Sequence, residues 1–265
     1  MTEKKCKSLK ELEDEVEKIK QRVLGCFNDF PSVPAPVLFR GQANSEWKLE
    51  STLERYVSGH RYSVDEYNRV LCAIAPAISA FTEKEWSLST EDYEIDFVTK
   101  LPPNCEFMSY VRHHGFPTPL IDWTQSLYVA LFFAFQNAQK DCDVAIYCYY
   151  EYLDSGKSGT VGNPEIVNVG PYINSHKRHF AQQGQYTFAV EKSLKQWRYC
   201  SHEDALRMVF TPGQDSIHKL VLPGNLKKEV LEKLNEMNIN AFTLYASEDA
   251  LMDSLAFKEI TLKNK

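Results

Sequence analysis

The chain has 265 residues, of which 43% are hydrophobic and 25% charged, so it can build one large domain or two small ones around a sizeable core. A formal net charge of −6 argues against a broadly basic nucleic-acid or anionic-membrane surface. Seven scattered cysteines without a C-x-x-C pair, a charged start (MTEKKCKSLKELEDE) and no long apolar run point to a reduced, cytoplasmic protein with no membrane partner.

In chain order, residues 8–27 read as an amphipathic helix. Ser8 is its N-cap, Glu11 completes a capping box, and Leu9, Leu12, Val16, Ile19, Val23 and Phe27 share one face. The segment 1–30 is expected to dock on the main domain, with dimerisation as the alternative. Three prolines between Asn28 and Pro36 end the helix, and Val37 to Arg40 reads as a short strand. Residues 64–85 read as a helix broken or kinked at Pro76. An acidic, loop-rich stretch (86–104) and a helix from Glu106 to His113 follow. A strongly apolar helix is predicted from Ser126 to Gln139, and Val144 to Tyr150 (VAIYCYY) is the clearest strand. Residues 154–164 read as a loop. Strands are expected at 186–190, 217–222 and 241–245, with helices over 226–237 and after Ser247. Helices early and strands spread through the rest suggest an α+β fold, with a mixed, mostly antiparallel central sheet flanked by helices.

Four polar constellations stand beside these elements. In Phe39-Arg40-Gly41-Gln42, an Arg at a strand end can grip a phosphate or carboxylate in bidentate fashion, and the Gly admits close approach. A structural ion pair is the plainer reading. In Asp122-Trp123-Thr124-Gln125-Ser126, one polar side chain caps the next helix, and the same helix N-terminus can face an anion. His113 and His114 precede Gly115 without a third ligand at metal-binding spacing, so no metal is expected. His114 is the candidate hydrogen-bonding or acid–base residue, against a structural role. In Gln182-Gln183-Gly184-Gln185-Tyr186-Thr187, amides before a strand can read a ribose hydroxyl or carboxamide, or simply form a polar turn. There is no P-loop, no G-x-G-x-x-G and no G-x-S-x-G, which argues against common NTPase, Rossmann and α/β-hydrolase chemistry.

Taken in this order, the motifs resemble the FRG domain family, named for the Phe-Arg-Gly that stands here at Phe39-Arg40-Gly41. A second family motif, H-x-G-x-P-T-x-L-x-D-W-T-x-S, is matched at His113 or His114, Gly115, Pro117, Thr118, Leu120, Asp122, Trp123, Thr124 and Ser126. Pro119 departs from the family's usual Arg. A third motif is matched by Arg178, Gln183, Gly184, Tyr186 and Thr187, and the resemblance covers about residues 36–257, taken as the FRG domain. The motif order is also similar to the three-motif layout of ADP-ribosyltransferases. That likeness implies an ADP-ribosyltransferase-like fold and NAD as substrate. Arg40, Thr124, Ser126 and Gln183 would be the catalytic set, and Gln42, His114, Asp122 and Tyr186 the ligand-binding residues. The third position is Gln183, where those enzymes carry a Glu, and a neutral amide cannot stabilise developing positive charge as a carboxylate does.

Two function classes follow. In the first, the domain binds a nucleotide, NAD or an ADP-ribose-like molecule, with ADP-ribosyl transfer or NAD cleavage as the reaction. In the second, it is a non-enzymatic protein-interaction module of bacterial or phage conflict systems, and Asp122 pairs with Arg40 or caps the helix. Convergence of Arg40, Thr124, Ser126 and Gln183 on one open pocket favours the first. Burial of Arg40 against Asp122 without a cavity favours the second.

Overall fold

The structure, a computed structural model, describes residues 1–25, 36–93, 101–151, 162–170, 173, 177–193, 196–207 and 215–263. Cys26 and Phe27 of the expected first helix, and residues 28–35, 94–100 and 154–161 of the segments expected as loops, lie outside the described residues.

The chain opens with strand β1 (Thr2–Lys5) and helix α1 (Leu9–Gly25), then β2 (Leu38–Gln42), α2 (Thr52–Val57), α3 (Val64–Thr82) and α4 (Cys105–His113). The middle comprises β3 (Ile121–Thr124), α5 (Leu127–Phe135), β4 (Val144–Glu151), β5 (Glu165–Val169), α6 (Lys177–Ala181), β6 (Gly184–Ser193), β7 (Gln196–Tyr199) and α7 (His202–Arg207). The chain closes with β8 (Asp215–Leu222), α8 (Lys227–Glu236), α9 (Ala241–Tyr245), α10 (Glu248–Ala256) and a π-helical turn, Phe257–Thr261. Among the described residues the strands form one sheet in the order β1-β8-β4-β2-β3-β6-β5, with β7 on β6. Of these described pairings only β1–β8 is parallel. The fold is therefore α+β, with a mixed, mostly antiparallel sheet.

Both faces of the sheet are covered. Val144, Ile146 and Cys148 of β4 pack with α1, α5 and α8, whereas Ala145, Tyr147 and Tyr149 join Leu38, Trp123 and Ala205 on the other side. Burial on both faces is why β4 reads as an unbroken apolar run. Helix α1 buries Leu9, Leu12, Val16, Ile19 and Val23 in the same core, and Ser8 Oγ accepts the Glu11 amide at its start. A third cluster, between α3, α4 and the β5–β6–β7 end, holds Tyr67, Phe107, Phe188 and Trp197.

Residues 241–245 form helix α9, not the expected strand. Asn240 accepts the Thr243 amide and Thr243 returns the bond, a capping box that closes one helical turn. Helix α3 runs through Pro76, and the apolar helix α5 ends at Phe135, short of Gln139. Helix α5 is apolar all round because it is buried between the sheet, α8 and α9.

Candidate functional site

Strands β2 and β3 are joined at one registered pair, Phe39 opposite Thr124. Beyond it they part, and the gap is spanned by a side chain. Arg40 Nη1 donates to the Asp122 carbonyl at 2.9 Å, in place of a strand-to-strand bond. Above this opening lies a cavity of about 500 Å³, walled by residues 39–43, Trp47, Arg55, Arg112, His113, Gly115, residues 122–124, Phe133, Asn137, Arg178, Gln182 and Tyr245. Gly41 places β2 hard against α5: a Cβ there would sit 2.0 Å from Ala130 O.

Its electrostatics centre on Asp122. Arg112, in the last turn of α4, grips the carboxylate through Nε, at 3.0 Å from Oδ2, and through Nη2. The remaining arm of the fork, Nη1, donates to Thr52 Oγ1 at 2.6 Å, which ties α2 into the cluster. Arg40 Nη1 approaches the same carboxylate at 3.6 Å. Burial alone would push the Asp122 carboxyl up, but the Arg112 guanidinium, with Arg40 beside it, holds it down at about 2. Burial pulls the Arg40 guanidinium down to about 10 against the attraction of Asp122, so it stays charged at neutral pH. Among the described residues, four arginines and one carboxylate thus line one cavity.

Of the residues singled out in the sequence, Arg40, Gln42, Asp122 and Thr124 line the cavity. Gln42 donates Nε2 to Lys48 O, and Thr124 Oγ1 donates to Gln182 O. Ser126, Gln183, His114 and Tyr186 do not line it. Ser126 is the N-cap of α5, its Oγ accepting the Val129 amide at 3.3 Å. Ser126→Ala is expected to lower stability by about 1 kcal/mol, measured by urea denaturation, and to leave ligand affinity unchanged. Gln183 occupies the left-handed region (φ 47°) in the turn before β6 and is exposed. That turn moves the inward amide back one residue, to Gln182. His114 is exposed and its ring meets Tyr110, whereas His113 lines the cavity. Tyr186 sits behind the wall, its hydroxyl 2.7 Å from His113 Nε2.

The residues that sequence reasoning missed are Arg112, His113 as the inward histidine, Trp47, Phe133 and Tyr245. Arg112 immediately precedes the His pair, the one local signal for it. The aromatic walls come from elements far apart in the chain. Among the described residues no His, Cys, Asp and Glu cluster is arranged to hold a metal ion. Burial pushes the Cys105 thiol up to about 12 and raises Cys148 and Cys200 further, so these thiols stay protonated. No helix among the described residues is long and apolar enough to cross a membrane.

Residues 35–143 match the family model of the FRG domain. The first two motifs fall inside that match, and the third, at 178–187, lies beyond it. No curated protein and no solved structure matches the chain.

Proposed function

We propose that this chain, whose residues 35–143 match the FRG domain, binds a nucleotide of the NAD or ADP-ribose kind in the cavity between β2 and β3. The observation that carries this reading is a charge imbalance. Arg40 and Arg112, both largely buried, share the carboxylate Asp122, and Arg55 and Arg178 stand among the other described lining residues. Two guanidiniums held beside one carboxylate leave positive charge that an anion would offset, and paired arginines suit the planar fork of a phosphate. Trp47, Phe133 and Tyr245 supply apolar faces for flat rings, and the volume falls in the ~300–1,000 Å³ range of small-molecule sites.

Binding is better supported than transfer. A glycosyl-transfer site needs an acid poised near the ribose, and Asp122 is already engaged by two arginines. Gln182 and Gln183 are neutral whichever one faces the ligand. Among the described lining residues, Asp122 is the carboxylate that ADP-ribosyl transfer or NAD cleavage would use.

Calorimetric titration with NAD and ADP-ribose, followed by a nicotinamide-release assay, tests the proposal. Saturable binding with little or no NAD turnover is expected. Trp47 is more than half exposed on the rim. Its replacement in Trp47→Ala should therefore leave folding intact while weakening ADP-ribose binding about tenfold or more through lost stacking. Absence of binding by the unaltered chain at millimolar nucleotide would sink the reading and leave the interaction-module alternative.

A further inference from the structure

We infer that His113 is the ligand-contacting residue that makes anion binding in this cavity depend on pH, and that Tyr186 holds it in place in both protonation states. The inference rests on the nucleotide-pocket reading above and concerns how that pocket is regulated.

His113 is the last residue of α4 and lines the cavity. Its Nε2 lies 2.7 Å from Tyr186 Oη, which fixes the imidazole by one nitrogen. Tyr186 stands directly opposite Asp122 in the β3–β6 register and is buried. On its other side it stacks against His179, with ring centroids 5.5 Å apart and an interplanar angle of 20°. A phenol both donates and accepts. It can give its proton to a neutral Nε2, or accept from the N–H of an imidazolium, so the pair keeps its hydrogen bond through a change of charge. Lys or Arg at this position would be charged throughout, and a histidine bonded to a backbone carbonyl would be held to one tautomer.

Among the described residues, charged neighbours of both signs line the cavity with the ring, and the arginines outnumber the one carboxylate. Asp122 on β3 and the carbonyl end of α4 favour the imidazolium. Arg112 beside it on α4, Arg40 on β2, Arg55 on α2 and Arg178 on α6 oppose it, all lining the same cavity. Burial lowers the readiness of His179 on α6 to take up a proton. An incoming phosphate or sulfate shifts this balance toward the protonated ring. Binding then takes up a proton, so affinity falls as pH rises.

The test is titration with ADP-ribose, whose diphosphate keeps its charge across the range, at about pH 5.5 and about pH 8.5. Sulfate is run in parallel and read by thermal shift. The unaltered chain should bind about tenfold more weakly at the higher pH, with proton uptake seen as a buffer-dependent binding enthalpy. His113→Gln should flatten the slope and abolish the proton uptake. Tyr186→Phe, which keeps the stack on His179, should reduce both. Equal affinity at both pH values, or an unchanged slope and proton uptake in His113→Gln, overturns the inference. If ADP-ribose fails to bind while sulfate keeps a slope that His113→Gln removes, the nucleotide reading falls and the role of His113 stands.

Discussion

Gly41→Ala is expected to destabilise the chain by about 3 kcal/mol or more, at the upper end of what overpacking a core costs. The added Cβ would lie 2.0 Å from Ala130 O and 2.6 Å from Ala134 N, both backbone atoms of α5. A flexible side chain could swing aside, but a helix backbone moves only as a body. Helix α5 packs against α8, and its Phe132 and Phe133 rings meet Tyr245 of α9. Displacing it would open gaps around Phe135 and Leu131, which are fully buried. Phe133 and Asn137, the cavity wall beyond, would shift with it. Urea denaturation compares the variant with Gly25→Ala, where nothing lies within 4 Å of the new methyl. A Gly41→Ala midpoint equal to that of the unaltered chain would show that β2 and α5 are not in this close contact. The glycine of the Phe-Arg-Gly motif is thus required by packing, and the arginine beside it by charge.

Much of this arrangement was legible along the chain. Helix α1 was visible from its apolar stripe and the Ser8–Glu11 cap, and β4 from a run buried on both faces. Both signals are local. The expected strand at 241–245 fails for a local reason as well. Five apolar and β-branched residues fit either element, and the Asn240–Thr243 capping box decides for helix. That helix carries Tyr245 into the cavity wall, so the misreading hid a wall residue. Gln182 lines the cavity and Gln183 does not, because Gln183 sits in a left-handed turn that cannot be read from amide spacing alone. Arg112 escaped because its partner Asp122 lies across the turn that ends α4, where no helical or strand period relates the two. The cavity itself follows from β2 and β3 separating after one pair, a property of the sheet that neither strand records alone.

Asp122→Asn should cost about 2–3 kcal/mol, less than the ~3–5 of a fully buried broken pair, because 40% of its side-chain surface is open to the cavity. The asparagine can still accept from Arg112, but two guanidiniums would then face each other without a counter-charge. The pH dependence has a definite sign. Asp122 is held at about 2 in the folded chain and titrates near 4 when unfolded. Its stabilisation is therefore complete above about pH 4 and is lost as pH falls toward about 2, and the variant should lack this step in an acid-denaturation profile. A further consequence separates charge from shape. An anion in the cavity would replace the missing carboxylate, so phosphate in place of chloride should raise the melting temperature of Asp122→Asn more than that of the unaltered chain. Equal phosphate effects on the two proteins would mean that the arginines do not act together on a bound anion. A larger effect on the variant would identify Asp122 as the internal counter-ion that an anionic ligand supplements.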